Sequence, residues 1–214
     1  MKLDIVSFKE PFEHYVWNNI FSETELKQIW IELDFLSNGN FFHRPDQNIR
    51  NSVALDPAGN SLANRHCVHL NDSILDFRFN SKIYELFRSK FYSSEFYNNG
   101  VGPLMKYVSK SNQDSIIVSY YKDQDYYKPH TDISAATICF YLWKDKKDFE
   151  GGDLLFTEYD YTYTPNFNSA IMFPSCMEHE AKKIVSLNTT EHIHKRICIT
   201  MLVSLDMFVN NAYI

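Results

Sequence analysis

Long hydrophobic runs, cysteine pairs and a surplus of basic charge are all missing from this 214-residue sequence. No window approaches the ~18 uncharged apolar residues that a membrane-crossing helix needs. The opening stretch MKLDIVSFKEPFEHYVW carries Asp4, Lys9, Glu10 and Glu13. Those charges exclude a signal-peptide core. The chain is therefore expected to be soluble and intracellular, with the cytoplasm as its location and no membrane partner. The four cysteines, Cys67, Cys139, Cys176 and Cys198, form no CxxC motif. They read as reduced core thiols, which points to a reducing compartment. With 21 basic against 27 acidic residues the formal net charge is −6. That leaves no chain-wide basic footprint, so nucleic acid is not an expected partner. Internal repeats and low-complexity linkers are also absent.

What is present is ordinary globular composition, 44% hydrophobic and 22% charged. It excludes disorder and collagen-like repeats. The length fits a single domain, 1–214, large enough to bury a core without disulfide or metal staples. Aromatic residues reach 16%, with 17 Phe and 14 Tyr, which by itself means only a bulky core. Ser22-Glu23-Thr24-Glu25 matches a capping box. Leu26, Ile29, Trp30, Leu33 and Leu36 follow at helical spacing, which predicts a helix over 23–36. Residues 37–64, rich in Asn, Gly, Pro and Ser, are expected to be irregular. A second helix is expected over 81–91, with Ile83, Tyr84, Leu86 and Phe87 on its apolar side. Asn98-Asn99-Gly100 then breaks the chain.

Beyond Gly100 short β-branched and aromatic runs alternate with turns. They predict strands near 104–109, 115–121, 126–131, 135–143, 153–157, 168–173, 178–184 and 196–205. Many short strands at regular spacing mean a sandwich or barrel. The expected class is α+β with a mainly β core. Residues 1–100 form a mostly helical support packed on one sheet, and 101–207 form the core.

Three features carry chemistry. His130-Thr131-Asp132 falls where a strand ends, and residues i and i+2 of an extended chain share a face. An imidazole nitrogen and a carboxylate oxygen on one face suit Fe(II), Mn(II) or Zn(II). Alone, the pair better fits a surface histidine beside a turn aspartate. A third ligand can come from His179, which follows the buried run Ala170–Phe173 and the turn at Pro174-Ser175. His192 and His194 are rivals, but they crowd against Arg196. Arg196 opens the last strand and shares its face with Cys198 and Thr200, while Ile197, Ile199 and Met201 face the other way. A buried guanidinium needs an anionic partner, either a bound carboxylate or a neighbouring acidic side chain. His66-Cys67-Val68-His69 offers too few neighbouring ligands for a second metal site.

His130-Thr131-Asp132, His179 and Arg196 with its apolar strand resemble the Fe(II)/2-oxoglutarate-dependent dioxygenases. The likeness is to the prolyl-4-hydroxylase-type branch. Further fits are Ser119-Tyr120-Tyr121, Thr137–Leu142, and Phe149-Glu150-Gly151-Gly152-Asp153 with the strand after it. The likeness spans about residues 100–205. The separation of His179 from Arg196 is longer than that branch usually has, which sets the loop Val185–Lys195 apart.

The resemblance implies a double-stranded β-helix, or jelly roll. His130, Asp132 and His179 would be metal ligands, and Arg196 would bind the distal carboxylate of 2-oxoglutarate. Tyr120, Tyr141 and Thr200 would offer hydroxyls to that cosubstrate, or serve as plain core residues. The implied cofactors are Fe(II), 2-oxoglutarate and O2, with ascorbate as a further one. The implied activity is hydroxylation of an unactivated C–H bond with release of succinate and CO2. A prolyl residue of a protein or peptide leads the substrates. A free amino acid or other small molecule is the alternative, and a non-catalytic jelly-roll binding module stands behind both. The tyrosine-rich stretch 157–166 could cover the site or be an exposed hairpin end. The stretch 37–64 is a second candidate lid.

Overall fold

A computed structural model of the chain describes residues 4–44, 54–72, 80–98, 100, 102–144, 146–187 and 196–205. In chain order the elements are β1 (Asp4–Phe8), β2 (His14–Asn18), α1 (Glu23–Asn38), β3 (Ala63–Asn64), β4 (His66–His69), α2 (Lys82–Phe91), α3 (Ser94–Tyr97) and α4 (Pro103–Val108). There follow β5 (Gln113–Tyr121), β6 (Tyr126–His130), β7 (Ala136–Leu142), β8 (Phe149–Gly151), β9 (Leu154–Phe156), β10 (Tyr161–Tyr163), β11 (Ser169–Pro174), β12 (His179–Ala181), β13 (Ile184–Ser186) and β14 (Arg196–Ser204). A seven-stranded sheet runs in the order β1-β2-β11-β7-β14-β5-β4, and a five-stranded sheet in the order β10-β9-β12-β6-β3. β8 and β13 form a separate pair. Every strand pair is antiparallel. This is the jelly roll expected from the sequence.

Strand alternation divides the core in two. On β7 and β14, Ile138, Phe140, Leu142, Ile197, Ile199 and Met201 face the helices. They meet Ile29, Leu33 and Leu36 of α1 and Ile83, Phe87 and Phe91 of α2. The alternate residues Cys139, Tyr141 and Cys198 turn into the space between the sheets, with Phe156, Phe173 and Ala181. Burying each large apolar side chain contributes roughly 1.5–3 kcal/mol, so the helix layer anchors the sheet that carries β14. α1 starts at the capping box: Ser22 N donates to Glu25 Oε2 at 2.8 Å and Glu25 N donates to Ser22 Oγ at 3.3 Å. Such a cap is worth about 1 kcal/mol.

The structure corrects three expectations. Residues 104–109 do not form a strand; they lie in and just after α4. Pro103 occupies the first helical turn, where its missing N–H costs nothing, and Leu104, Met105 and Val108 bury one helical face. Residues 1–100, expected as a mostly helical support, also contribute four strands. β1 and β2 extend the large sheet through β11, β4 pairs with β5, and β3 pairs with β6. The single strand expected at 178–184 is two, β12 and β13, in different sheets. Residues 157–166 include a 3-10 turn, Thr157–Tyr159, and β10 paired with β9, which makes them a hairpin end. His192, His194, most of the 185–195 loop and part of the 37–64 stretch lie outside the described residues. Among the described residues no helix is long and apolar enough to cross a membrane.

Candidate active site

β6 and β12 are neighbours, and their register sets His130 directly across from His179. Asp132 follows two residues after His130. Its backbone N–H donates to Ser175 O at 3.0 Å, which folds it back toward the pair. His130 Nε2 lies 3.9 Å from Asp132 Oδ1, and His179 Nε2 lies 3.6 Å from Asp132 Oδ2. One ligand atom from each residue falls within 4.8 Å of the other two.

The hydrogen bonds fix which atoms face this cluster. His130 Nδ1 meets Lys128 O at 2.8 Å and His179 Nδ1 meets Met177 O at 2.9 Å. A carbonyl only accepts, so Nδ1 carries the proton in both rings and Nε2 presents a lone pair. Burial, helped by the neighbouring His179, pushes the His130 pKa down to about 4. The ring is therefore neutral near pH 7, as a metal ligand must be. Asp132 Oδ2 accepts from Thr137 Oγ1 at 2.6 Å, and Thr137 Oγ1 pairs with Ser175 Oγ at 2.8 Å. The Tyr127 ring stacks on His130 at 3.5 Å between centroids. Two imidazoles and one carboxylate held on one side of a point are a donor set that fits non-haem Fe(II).

The cluster opens into a cavity of about 320 Å³, at the lower end of the size range of ligand pockets. Arg196 reaches this cavity from β14 and is only 1% exposed. Its Nη1 donates to Gly152 O, and its Cζ lies 4.4 Å from the Tyr121 ring centroid and 5.2 Å from that of Tyr141. Among the described residues its Nε has no hydrogen-bond partner. Among the described residues no acidic side chain forms an ion pair with it. A neighbouring acid, the alternative partner open to the sequence, is thus not found there. A guanidinium held by one carbonyl and two ring faces fits a carboxylate ligand.

Tyr141 and Thr200 line the cavity. Tyr120 does not. β5 turns Ser119 and Tyr121 inward, so the residue between them points to the helix layer. There Tyr120 stacks on His66. The inward residue of the Ser119-Tyr120-Tyr121 run is Tyr121, one position on. The sequence marks Tyr127 only by its place three residues before His130, and it gives no role to Thr137, Ser175 or Arg65. A threonine in a strand and a serine in a turn carry no mark of their partners. Arg65 follows directly on a stretch read as irregular, where no periodicity marks a direction.

Comparison with known proteins agrees with this geometry. Residues 116–203 match the profile described as the 2OG-Fe(II) oxygenase superfamily. No curated protein matches the sequence. Among solved structures, a prolyl-4-hydroxylase from Pseudomonas putida is similar at a TM-score of 0.52 and 8% identity, covering 90% of this chain and 92% of that one. A prolyl hydroxylase from Trichoplax adhaerens, solved with a hypoxia inducible factor peptide fragment, is similar at 0.52 and 14% identity, covering 89% and 83%. At such identities the likeness speaks for the fold. The matched segment contains His130, Asp132, His179 and Arg196. Residues 116–203 thus resemble the core of the 2OG-Fe(II) oxygenase superfamily, whose cofactors are Fe(II), 2-oxoglutarate and O2, and the His130-Asp132-His179 set fits that iron.

Proposed function

We propose that the chain is a single-domain dioxygenase that hydroxylates an unactivated C–H bond. The observation that carries this reading is one cavity holding both His130-Asp132-His179 and the unpaired Arg196 guanidinium. His130 and His179 would bind iron through Nε2 and Asp132 through its carboxylate. Arg196 would bind the distal carboxylate of 2-oxoglutarate, and Tyr141 and Thr200, which line the same cavity, would offer it hydroxyls. When bound, iron and 2-oxoglutarate supply the oxidation by O2 that leaves succinate, CO2 and a hydroxylated product. The protein contributes position, charge and a walled site. Thr137 keeps Asp132 oriented, and the two backbone carbonyls keep both imidazoles in the ligating tautomer.

The fold supports a prolyl residue of a peptide as substrate, because it recurs in proteins named as prolyl hydroxylases, one of them solved with a peptide. The cavity, with a second buried arginine at Arg65, supports a small molecule, and where the two differ the cavity decides. The pairing of β1 and β2 with the core sheet supports one domain rather than two. Three buried free cysteines support a reducing, cytoplasmic setting, where ascorbate would serve as a further cofactor.

The test is an anaerobic titration of metal-free protein with Fe(II) and then 2-oxoglutarate, followed by visible absorption. A metal-to-ligand charge-transfer band is expected. It should vanish in His130→Ala and weaken in Arg196→Ala. A folded wild type without the band would remove the oxygenase reading and leave a jelly-roll binding module.

A further inference from the structure

Arg65 is a second buried guanidinium in the same cavity, on the bend between β3 and β4. It is 5% exposed. Continuing the register of His66 with Tyr120 sets Arg65 beside Tyr121, whose other neighbour is Arg196. The two arginines thus flank one tyrosine from strands two apart, about 10 Å between backbones. Arg65 Nη1 donates to Ser119 Oγ, and its Cζ lies 5.1 Å from the Tyr127 ring centroid. Among the described residues its Nε, like that of Arg196, has no hydrogen-bond partner.

Neither contact neutralises the charge. Among the described residues no carboxylate forms an ion pair with Arg65, and Asp132 is the one acidic residue lining the cavity. With iron and doubly charged 2-oxoglutarate added, Asp132 and the two arginines leave one positive charge in excess. An uncompensated buried charge costs several kcal/mol, so the cavity is built for one more anion. Arg196 meets the need of the cosubstrate. Arg65 is tied instead to the metal side: Tyr127 stacks on His130 and lies under the Arg65 guanidinium.

We propose that Arg65 binds the carboxylate of the substrate that is hydroxylated, and that this substrate is a small carboxylic acid such as a free amino acid. The proposal rests on the oxygenase reading. A planar guanidinium with free N–H groups binds a carboxylate through two parallel hydrogen bonds, and the ring-to-ring stack holds that anchor one aromatic ring from His130.

The test uses the full chain loaded with Mn(II), with and without 2-oxoglutarate, and calorimetric titration of paired probes. The probes are L-proline and L-leucine, their C-terminal amides, and a proline peptide blocked at both ends. The acids should bind wild type about tenfold to a hundredfold more tightly than the amides or the blocked peptide, the loss expected for one charge-assisted pair. Arg65→Gln should erase that preference and leave 2-oxoglutarate affinity within about twofold. Arg65→Lys keeps the charge without the fork, and should retain part of the preference if the glutamine variant does not fold. Equal binding of acid and amide, preferential binding of the blocked peptide, or binding of no probe overturns the proposal. So does an Arg65→Gln loss of 2-oxoglutarate affinity as large as that of Arg196→Gln. Failure of wild type to bind 2-oxoglutarate would instead remove the oxygenase reading. The Mn(II)-only titrations would still show whether Arg65 selects a carboxylate.

Discussion

His130 and His179 face each other as cross-strand partners, and each ring is turned by a carbonyl two residues before it, Lys128 O and Met177 O. The ligating tautomer is therefore set by local backbone. Asp132 has no such backbone partner for its carboxylate and relies on Thr137 and, through it, Ser175. Thr137→Val removes the donor to Oδ2 with little change of shape. Loss of such an orienting hydrogen bond should weaken Fe(II) or Mn(II) binding about 10- to 100-fold. Metal titration monitored by fluorescence or calorimetry checks this, with circular dichroism to confirm the fold. Unchanged metal affinity would mean that Asp132 is oriented without Thr137.

Arg196 and Tyr120 sit on adjacent strands, yet only Arg196 enters the cavity. Arg196→Gln should raise the dissociation constant of 2-oxoglutarate by about tenfold or more, since a charge-assisted pair is lost. Tyr120→Phe should leave that constant unchanged, because its ring packs among the helix-facing residues. Tyr121→Phe is the informative neighbour. Its ring face covers the Arg196 guanidinium at 4.4 Å, a contact that phenylalanine keeps. A Tyr120→Phe variant with weakened 2-oxoglutarate binding would contradict the strand parity described above.

The features legible in the sequence were those with a period or a fixed chemical meaning. The capping box at Ser22 and the alternation Arg196-Cys198-Thr200 needed no tertiary knowledge, and both appear in the structure. The third ligand at His179 was legible because a buried strand and a Pro-Ser turn precede it. Parity in Ser119-Tyr120-Tyr121 was not legible. All of residues 117–121 are buried or nearly so, so hydrophobicity marks neither face. α4 reads as a strand in sequence because six residues are too few to display a helical period. Arg65 was invisible for another reason. Its direction depends on β4 pairing with β5, a contact between residues far apart in the chain.

Gly151 and Gly152 both hold positive φ, +72 and +73 degrees, which β-carbon-bearing residues rarely adopt. Their added Cβ atoms would meet different things. At Gly152 it would press on Ile184 Cδ1 and lie 3.1 Å from Arg196 Nη1. At Gly151 it would collide with the backbone oxygen of Lys183. Either alanine should cost on the order of 1–3 kcal/mol from backbone strain alone. Gly152→Ala should in addition weaken 2-oxoglutarate binding by displacing the guanidinium. Gly151→Ala should act chiefly on stability, through the β8–β13 pair. Thermal melts together with 2-oxoglutarate titration separate the two effects. Equal losses of affinity in both variants would show that the turn acts as one unit.

Glu32 of α1 is buried and accepts the Ile83 N–H of α2 at 2.8 Å, which ties the two helices together. Burial raises its pKa from the ordinary carboxylate value, against opposing hydrogen bonds from Ser81 and Ile83. The folded protein therefore binds this proton more tightly than the unfolded chain. Its contribution to stability is fully present below the unfolded pKa, and it declines as pH rises through the folded one. Glu32→Gln retains an acceptor for Ile83 N and cannot ionise. The variant should match wild type near pH 4 and gain on it as pH rises toward neutrality, then run parallel above the folded pKa. Urea midpoints at several pH values measure this difference directly. A wild type that instead gained on the variant with rising pH would show that the hydrogen bonds from Ser81 and Ile83 outweigh burial. The ionised carboxylate would then be the form the fold selects.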